Sequence, residues 1–207
     1  MPTYKPLIST AYLPTVRYMS VLAKYGAAII EQHETFPKQT FRNRTTIATG
    51  NGLMMLNVPV SRPSGNHTTT AEMVVSYHEP WNIRHWRAIA SAYNAAPYFL
   101  YYKDELEEIL MHRYDHLLHL NEALLHYLLK KIKITCQLEY SQTFIRETES
   151  YIDLRDSLTA KRDNPDNIYP HYSQVFESRH RFLPNLSVID LLFNLGPEAK
   201  SYLLSIQ

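Results

Sequence analysis

Residues 6–30 decide the fold: Pro6-Leu7-Ile8-Ser9-Thr10, then Val16 to Tyr25, then Gly26 and Ala27-Ala28-Ile29-Ile30. The first run is short, apolar and closed by hydroxyls, the pattern of a buried strand. Tyr12-Leu13-Pro14-Thr15 turns the chain. Val16, Met19, Leu22 and Ala23 then fall on one side of a helix, and Gly26 sits where a left-handed C-terminal cap belongs. Ala27 to Ile30 reads as a second strand running out to Glu31-Gln32-His33-Glu34. Strand, helix and strand within about thirty residues make a βαβ crossover. Ligands of such units collect at the carboxyl ends of the strands and at the helix N-terminus. Here those places hold Ser9, Thr10 and Tyr12 after the first strand, and Glu31 to Arg44 after the second.

On that edge, Phe36-Pro37-Lys38-Gln39-Thr40-Phe41-Arg42-Asn43-Arg44 carries three cations and no acid. Read as an extended segment, it puts Lys38, Thr40, Arg42 and Arg44 on one side, with Gln39, Phe41 and Asn43 on the other. Guanidinium forks bracket a carboxylate or phosphate through paired N–H···O bonds, which a lone ammonium cannot do. The same charges serve a solvated strand edge that resists aggregation. If the stretch is a site, Lys38, Arg42 and Arg44 hold a small anion, and Tyr12, Gln39 and Asn43 are its polar neighbours. Arg42→Lys would then weaken binding almost as much as Arg42→Ala, with little effect on stability.

Further along, Thr45 to Val60 reads as a hairpin about Gly50-Asn51-Gly52, and residues 61–70 as a polar loop long enough to act as a lid. A helix beginning near Pro80 gathers Trp86, Ile89 and Tyr93 on one face, with His85 at its border. His85 there is either a half-buried core histidine or a proton carrier. Asp104 to Ile132 is helical, broken near Arg113 to Asp115, with a core stripe of Leu106, Leu110, Leu117, Leu124 and Leu128. His112, His116, His119 and His126 have metal-ligand spacing but lie opposite that leucine face, so they read as surface histidines and not as a metal site. Residues 139–170 read as a polar meander. Ser187 opens a helix through Leu195, which Gly196 ends before a second helix starts at Pro197. On the first of these two helices, Ser187, Asp190 and Asn194 form a narrow polar stripe, either a buried structural network or a group facing a ligand.

These elements predict an α/β fold: an N-terminal βαβ unit and a small mixed sheet with helices packed on it, a helical C-terminal half, and one domain over residues 1–207. Twenty-one basic against twenty acidic residues leave no field to attract nucleic acid. Sixteen Tyr, ten His and five Gly lean toward hydrogen-bonding pocket walls or half-buried core positions. The one cysteine, Cys136, makes no internal disulfide, and neither a signal peptide nor a membrane-spanning run is evident, so a cytoplasmic protein is expected. No glycine-rich phosphate loop, nucleophile elbow or dense metal cluster occurs, and no cofactor is identified.

Four blocks together resemble the WbqC-like protein family. They are Lys38 to Arg44 with Asn51-Gly52 and Val58-Pro59-Val60; His85 to Ile89 with Ser91-Ala92-Tyr93 and Pro97-Tyr98-Phe99; Tyr172 to Phe176; and Leu186 to Gly196. They come in family order over nearly the whole chain and are closest to the branch found in Bacteroidetes. The resemblance implies work in O-antigen or other surface-polysaccharide synthesis, as a glycine- or acyl-type transferase on a nucleotide-linked sugar. Asp190 or His85 would then move a proton, and Asn194 would join the ligand set. The alternative is a non-catalytic protein of the same pathway that binds a nucleotide sugar or similar small anion. Two departures bear on turnover. Ser9 to Arg17 lacks the Gln-Pro and the Gly that many relatives carry around the first aromatic block. The segment before the closing block also lacks their longer glycine-containing stretch.

Overall fold

The computed structural model describes residues 4–37, 40–158 and 167–207. The opening crossover forms as its sequence dictates: β1 (Lys5–Ser9), α1 (Val16–Tyr25) and β2 (Ala27–Glu31). Thr15 caps α1 by accepting from the Tyr18 N–H, and Gly26, at φ 64°, ends it with its N–H on the Leu22 carbonyl. Then come β3 (Arg44–Thr49), β4 (Gly52–Asn57), β5 (Val60–Ser61) and β6 (Val74–Val75). The helices α2 (Trp81–Tyr93), α3 (Phe99–Met111) and α4 (Leu117–Ile132) follow, then β7 (Gln137–Tyr140) and β8 (Tyr151–Asp153). The chain closes with α5 (Glu177–His180), α6 (Val188–Leu195) and α7 (Ala199–Ser205).

Four parallel strands make the main sheet, in the order β7-β2-β1-β8. Of its two outer strands, β8 arises inside the stretch that reads as a polar meander, and β7 runs into its start. Both are short edge strands, supported by one neighbour each, so they need no long apolar run. The two antiparallel pairs, β3–β4 and β5–β6, are separate from this sheet.

Some local expectations change. Residues 40–43 form a bend and turn, and strand geometry starts only at Arg44, so the period-two grouping of the basic stretch does not hold. The loop after β5 is stitched down where it was expected to be a free lid. Thr68 O accepts from Phe36 N–H, while Thr70 N–H and Ala71 N–H donate to Glu34 O and Gln32 O. On α2 the inward face centres on His85, Ile89, Ala92 and Tyr93, leaving Trp86 half-buried and Trp81 in the core.

The leucine stripe is buried as expected, and α6 is almost wholly internal. Its Phe193 packs against Tyr93 of α2 and Phe99 of α3, with ring centroids 5.3 and 5.2 Å away. Helices α2 and α3 therefore hold that ring. Gly196, at φ 52°, lies so close to Tyr98 that a β-carbon there would come within 2.5 Å of its ring. The blocks around Pro97–Phe99 and Leu186–Gly196 thus close on each other. Among the described residues, no helix is long and apolar enough to cross a membrane.

Candidate functional site

The carboxyl edge of the main sheet is filled by the protein's own charges. Arg42, 4 % exposed, directs Nε and Nη2 onto the two carboxylate oxygens of Glu34 at 2.7 and 2.6 Å, and Nη2 also reaches Ser9 Oγ at 2.6 Å. The Arg42 carbonyl accepts from Asn121 Nδ2. Beside this pair, the fully buried Glu31 accepts from His33 N–H, Ser141 Oγ and Ile145 N–H. Arg155 lies 3.6 Å from Glu31 and forks onto Asp153 at 2.9 and 2.7 Å. The cavity between Arg42 and Arg155 measures only about 10 Å³, roughly one water. A guanidinium whose fork is already closed by a carboxylate offers little to an incoming anion.

Arg44, two residues on, belongs to a different cavity. It lines a cleft of about 360 Å³ with Arg62, Asn43 and Asn57, walled by Phe36 and Val58 to Val60. No acidic residue occurs among the described residues of that lining. Arg44 Nη1 reaches only the thioether of Met55, at 3.5 Å, while its Nε is buried without a hydrogen-bond partner among the described residues. Arg62 lies over the Phe36 ring at 5.5 Å, a cation–π contact. Asn43 builds the wall: its Nδ2 donates to Val58 O and Asn57 Oδ1, and Val58 N–H returns to Asn43 O. Its Oδ1 is buried with no partner among the described residues. Two guanidiniums, with an N–H that finds no partner and no counter-acid among the described residues, form an electropositive recess suited to phosphate or carboxylate.

Tyr12 and His85 sit one layer behind. Tyr12 is fully buried, its hydroxyl 2.9 Å from His85 Nδ1 and its ring edge-on to Trp81. Burial lifts the Tyr12 phenol far above its usual range, so it stays protonated. Burial likewise pushes His85 down to about 4, opposed by a hydrogen bond to the Asn57 backbone. His85 is therefore a neutral imidazole against the back of a residue that lines the cleft.

Asp190 lies elsewhere. It is 1 % exposed and accepts from Tyr172 Oη at 2.7 Å, Gln174 Nε2 at 3.0 Å and Tyr93 Oη at 3.0 Å. Burial raises its carboxyl above the usual range, and the three donors hold that rise back. Asn194 Nδ2 turns back to the Asp190 carbonyl. Among the described residues, none of these five side chains shares a hydrogen-bond partner with Arg42 or Arg44.

The structure therefore divides the predicted site residues into three groups: Arg42 in the ion-paired edge, Asn43 and Arg44 in the cleft with Tyr12 and His85 behind it, and Asp190 with Asn194 in the α6 network. Lys38 and Gln39 lie outside the described residues. Sequence reasoning missed Arg62 and Glu34. Arg62 stands in an irregular Ser-Arg-Pro-Ser-Gly run with no period to mark it. Glu34 stood in the right window, where an acid three residues after a strand could have been matched to the cations downstream. Among the described residues, no cluster of three or more His, Cys, Asp or Glu is placed to hold a metal ion.

The WbqC-like protein family model matches residues 10–163 and 164–202, nearly the whole chain. An uncharacterised protein of Mycobacterium tuberculosis (strain ATCC 25618 / H37Rv), Rv1507c, is 28 % identical over 225 residues, covering 95 % of this chain and 96 % of its own. No solved structure matches.

Proposed function

Because the chain belongs to the WbqC-like protein family, we propose that it binds a nucleotide-linked sugar during cytoplasmic steps of surface-polysaccharide or O-antigen synthesis, holding the phosphate between Arg44 and Arg62. The observation that carries this is the cleft itself. Two guanidiniums line about 360 Å³ with no acid among the described residues, and Arg44 keeps a buried N–H unpartnered. Nucleic acid is not a partner on this reading, because a net charge of +1 offers no extended basic face.

Titration calorimetry of wild type, Arg44→Lys, Arg44→Ala and Arg62→Ala with a uridine-diphosphate hexose tests it. A planar fork is lost in Arg44→Lys although the charge remains, so both Arg44 variants should bind about ten- to a hundredfold more weakly, from about 1.5–3 kcal/mol of charge-assisted bonding. Equal affinity in all four proteins would remove the cleft from binding.

A glycine- or acyl-type transfer onto the bound sugar is the second reading, favoured by the place of His85 directly behind Asn57 in the cleft wall. In such a step a sugar amine or hydroxyl attacks the carbonyl of an activated acyl donor and gives its proton to a base, and the donor's leaving group departs. The base must come within hydrogen-bond distance of that proton. With His85 and Asp190 at 6 % and 1 % exposure and both already partnered, recognition is better supported than turnover. Mass spectrometry of the sugar nucleotide after incubation with an activated glycyl donor reads the difference.

A further inference from the structure

The arginine cleft adjoins a second one of about 550 Å³, and Pro59 and Val60 line both. The chemistry changes from one to the other. The second lining holds Arg113 and Asp115, one charge of each sign, with Tyr77, Tyr114, His78 and Ser76. Arg113, Asp115 and His78 are exposed, so their heads are open to a ligand. Tyr77 is fixed in place: the Arg113 guanidinium sits 4.5 Å over its ring, Trp81 lies 5.7 Å away, and its hydroxyl accepts from the Tyr114 N–H. Among the described residues nothing accepts from the Tyr77 O–H, so it can donate to a ligand. Val75 N–H holds the Asp115 carbonyl, which ties the floor of the cleft to the segment ahead of α4.

A carboxylate accepts, a guanidinium donates, and phenol, imidazole and hydroxyl groups do both. Such a set matches a neutral ring bearing several hydroxyls, which offers donors and acceptors together, better than it matches a second anion. The volume lies within the range of small-molecule sites. We propose that this second cleft receives the hydroxyl-bearing ring attached to the phosphate held by Arg44 and Arg62, either a pyranose or a ribose. The assignment rests on the phosphate reading of the first cleft and adds the subsite that gives it selectivity.

The test titrates wild type and the double variant Arg113→Gln/Asp115→Asn with inorganic phosphate, a hexose 1-phosphate and uridine monophosphate. Both positions are exposed and neither lines the arginine cleft. Wild type should bind one ring phosphate at least about tenfold more tightly than inorganic phosphate. The double variant should lose that preference while binding inorganic phosphate unchanged, and the preferred ring phosphate identifies the sugar. Equal affinity for all three probes, or a preference that survives in the double variant, overturns the subsite. If no phosphate binds at all, the arginine cleft fails, and methyl glycoside and ribose are titrated by NMR. Shifts at Tyr77 and Tyr114 would then keep the second cleft as a sugar site, and no shift would overturn it.

Discussion

Arg42 and Arg44 stand two residues apart and serve different ends: Arg42 is sealed onto Glu34 at the sheet edge, and Arg44 opens into a cleft that no described acid lines. The turn at residues 40–43 causes the split, because it breaks the alternation that would have aligned the two side chains.

Arg42 is consequently a stability residue. Its removal in Arg42→Ala leaves the Glu34 carboxylate, 8 % exposed, without its countercharge, a loss of about 3–5 kcal/mol. Arg42→Lys keeps the charge but cannot span both carboxylate oxygens and Ser9 Oγ, so it too should be clearly less stable than wild type. Urea denaturation checks this against the sequence-based expectation of little change. Wild-type stability in Arg42→Ala would show that the pair contributes nothing to holding the edge.

Asp190 should behave as the hub of a structural network. Asp190→Leu strands the donors of Tyr93, Tyr172 and Gln174, at about 1–3 kcal/mol for each group left unsatisfied. Asp190→Asn keeps an acceptor for the Tyr172 and Gln174 pair and should be far milder. The raised carboxyl has a pH signature. Between the ordinary carboxylate range and its higher folded value, the folded state holds a proton the unfolded state has released, so stability falls as pH rises through that window. Asp190→Asn should lack that slope. Ligand affinity lost in Asp190→Asn at full stability would contradict the structural role.

How much could be read in advance follows from the same particulars. The β1–α1–β2 crossover was legible because apolar periodicity, the Thr15 and Gly26 caps and burial all agree there. The edge strands β7 and β8 were not, since three or four half-exposed residues supported by one neighbour leave no periodic signal. The family blocks were legible as well, yet the contacts of Tyr93, Tyr98, Tyr172, Asp190 and Gly196 show them knitting the core. They speak for the fold more than for chemistry. Of the cleft, Asn43 and Arg44 were visible as a basic run. Its other cation, Arg62, comes from a loop whose approach only tertiary structure reveals.

His112, at the end of α3, and His119, on α4, should be dispensable. His112 and His119 are exposed, and the break before α4 separates His112 from the rest. Replacing His112 and His119 together by Gln should change stability by no more than about 0.5 kcal/mol, as for surface positions generally. His116 departs from the expected surface histidine: it is half-buried, its Nδ1 enclosed without a hydrogen-bond partner among the described residues. Stoichiometric zinc in untagged protein, lost when His112, His116 and His119 are all replaced by Gln, would refute the absence of a metal site.

Phe193 should be among the costliest core positions. Its ring is fully buried between Tyr93 and Phe99. Phe193→Ala removes both aromatic contacts and leaves a cavity, for about 3–5 kcal/mol. Phe193→Leu, which fills most of that space, should recover a large part. An alanine variant within 1 kcal/mol of wild type (about one-third of the smallest expected loss) would mean that the helices around α6 collapse onto the gap.

His85 gives the protein an acid-sensitive joint behind the cleft. In the unfolded chain it titrates near 6.5, while in the folded protein burial pushes it down to about 4. Between those values the unfolded state takes up a proton that the folded state refuses. The stability this group confers is therefore complete above pH 6.5 and drains as pH falls toward 4. The whole window corresponds to about 3 kcal/mol, and the part above pH 5 to roughly 2 kcal/mol. His85→Gln keeps a polar group near Tyr12 and Asn57 but has no proton to gain. Urea midpoints of both proteins at about pH 7 and about pH 5 isolate the effect, because every other titrating group is common to the two. Wild type should lose about 2 kcal/mol more than His85→Gln over that interval. Parallel pH curves for the two proteins would show that His85 is not held neutral in the fold.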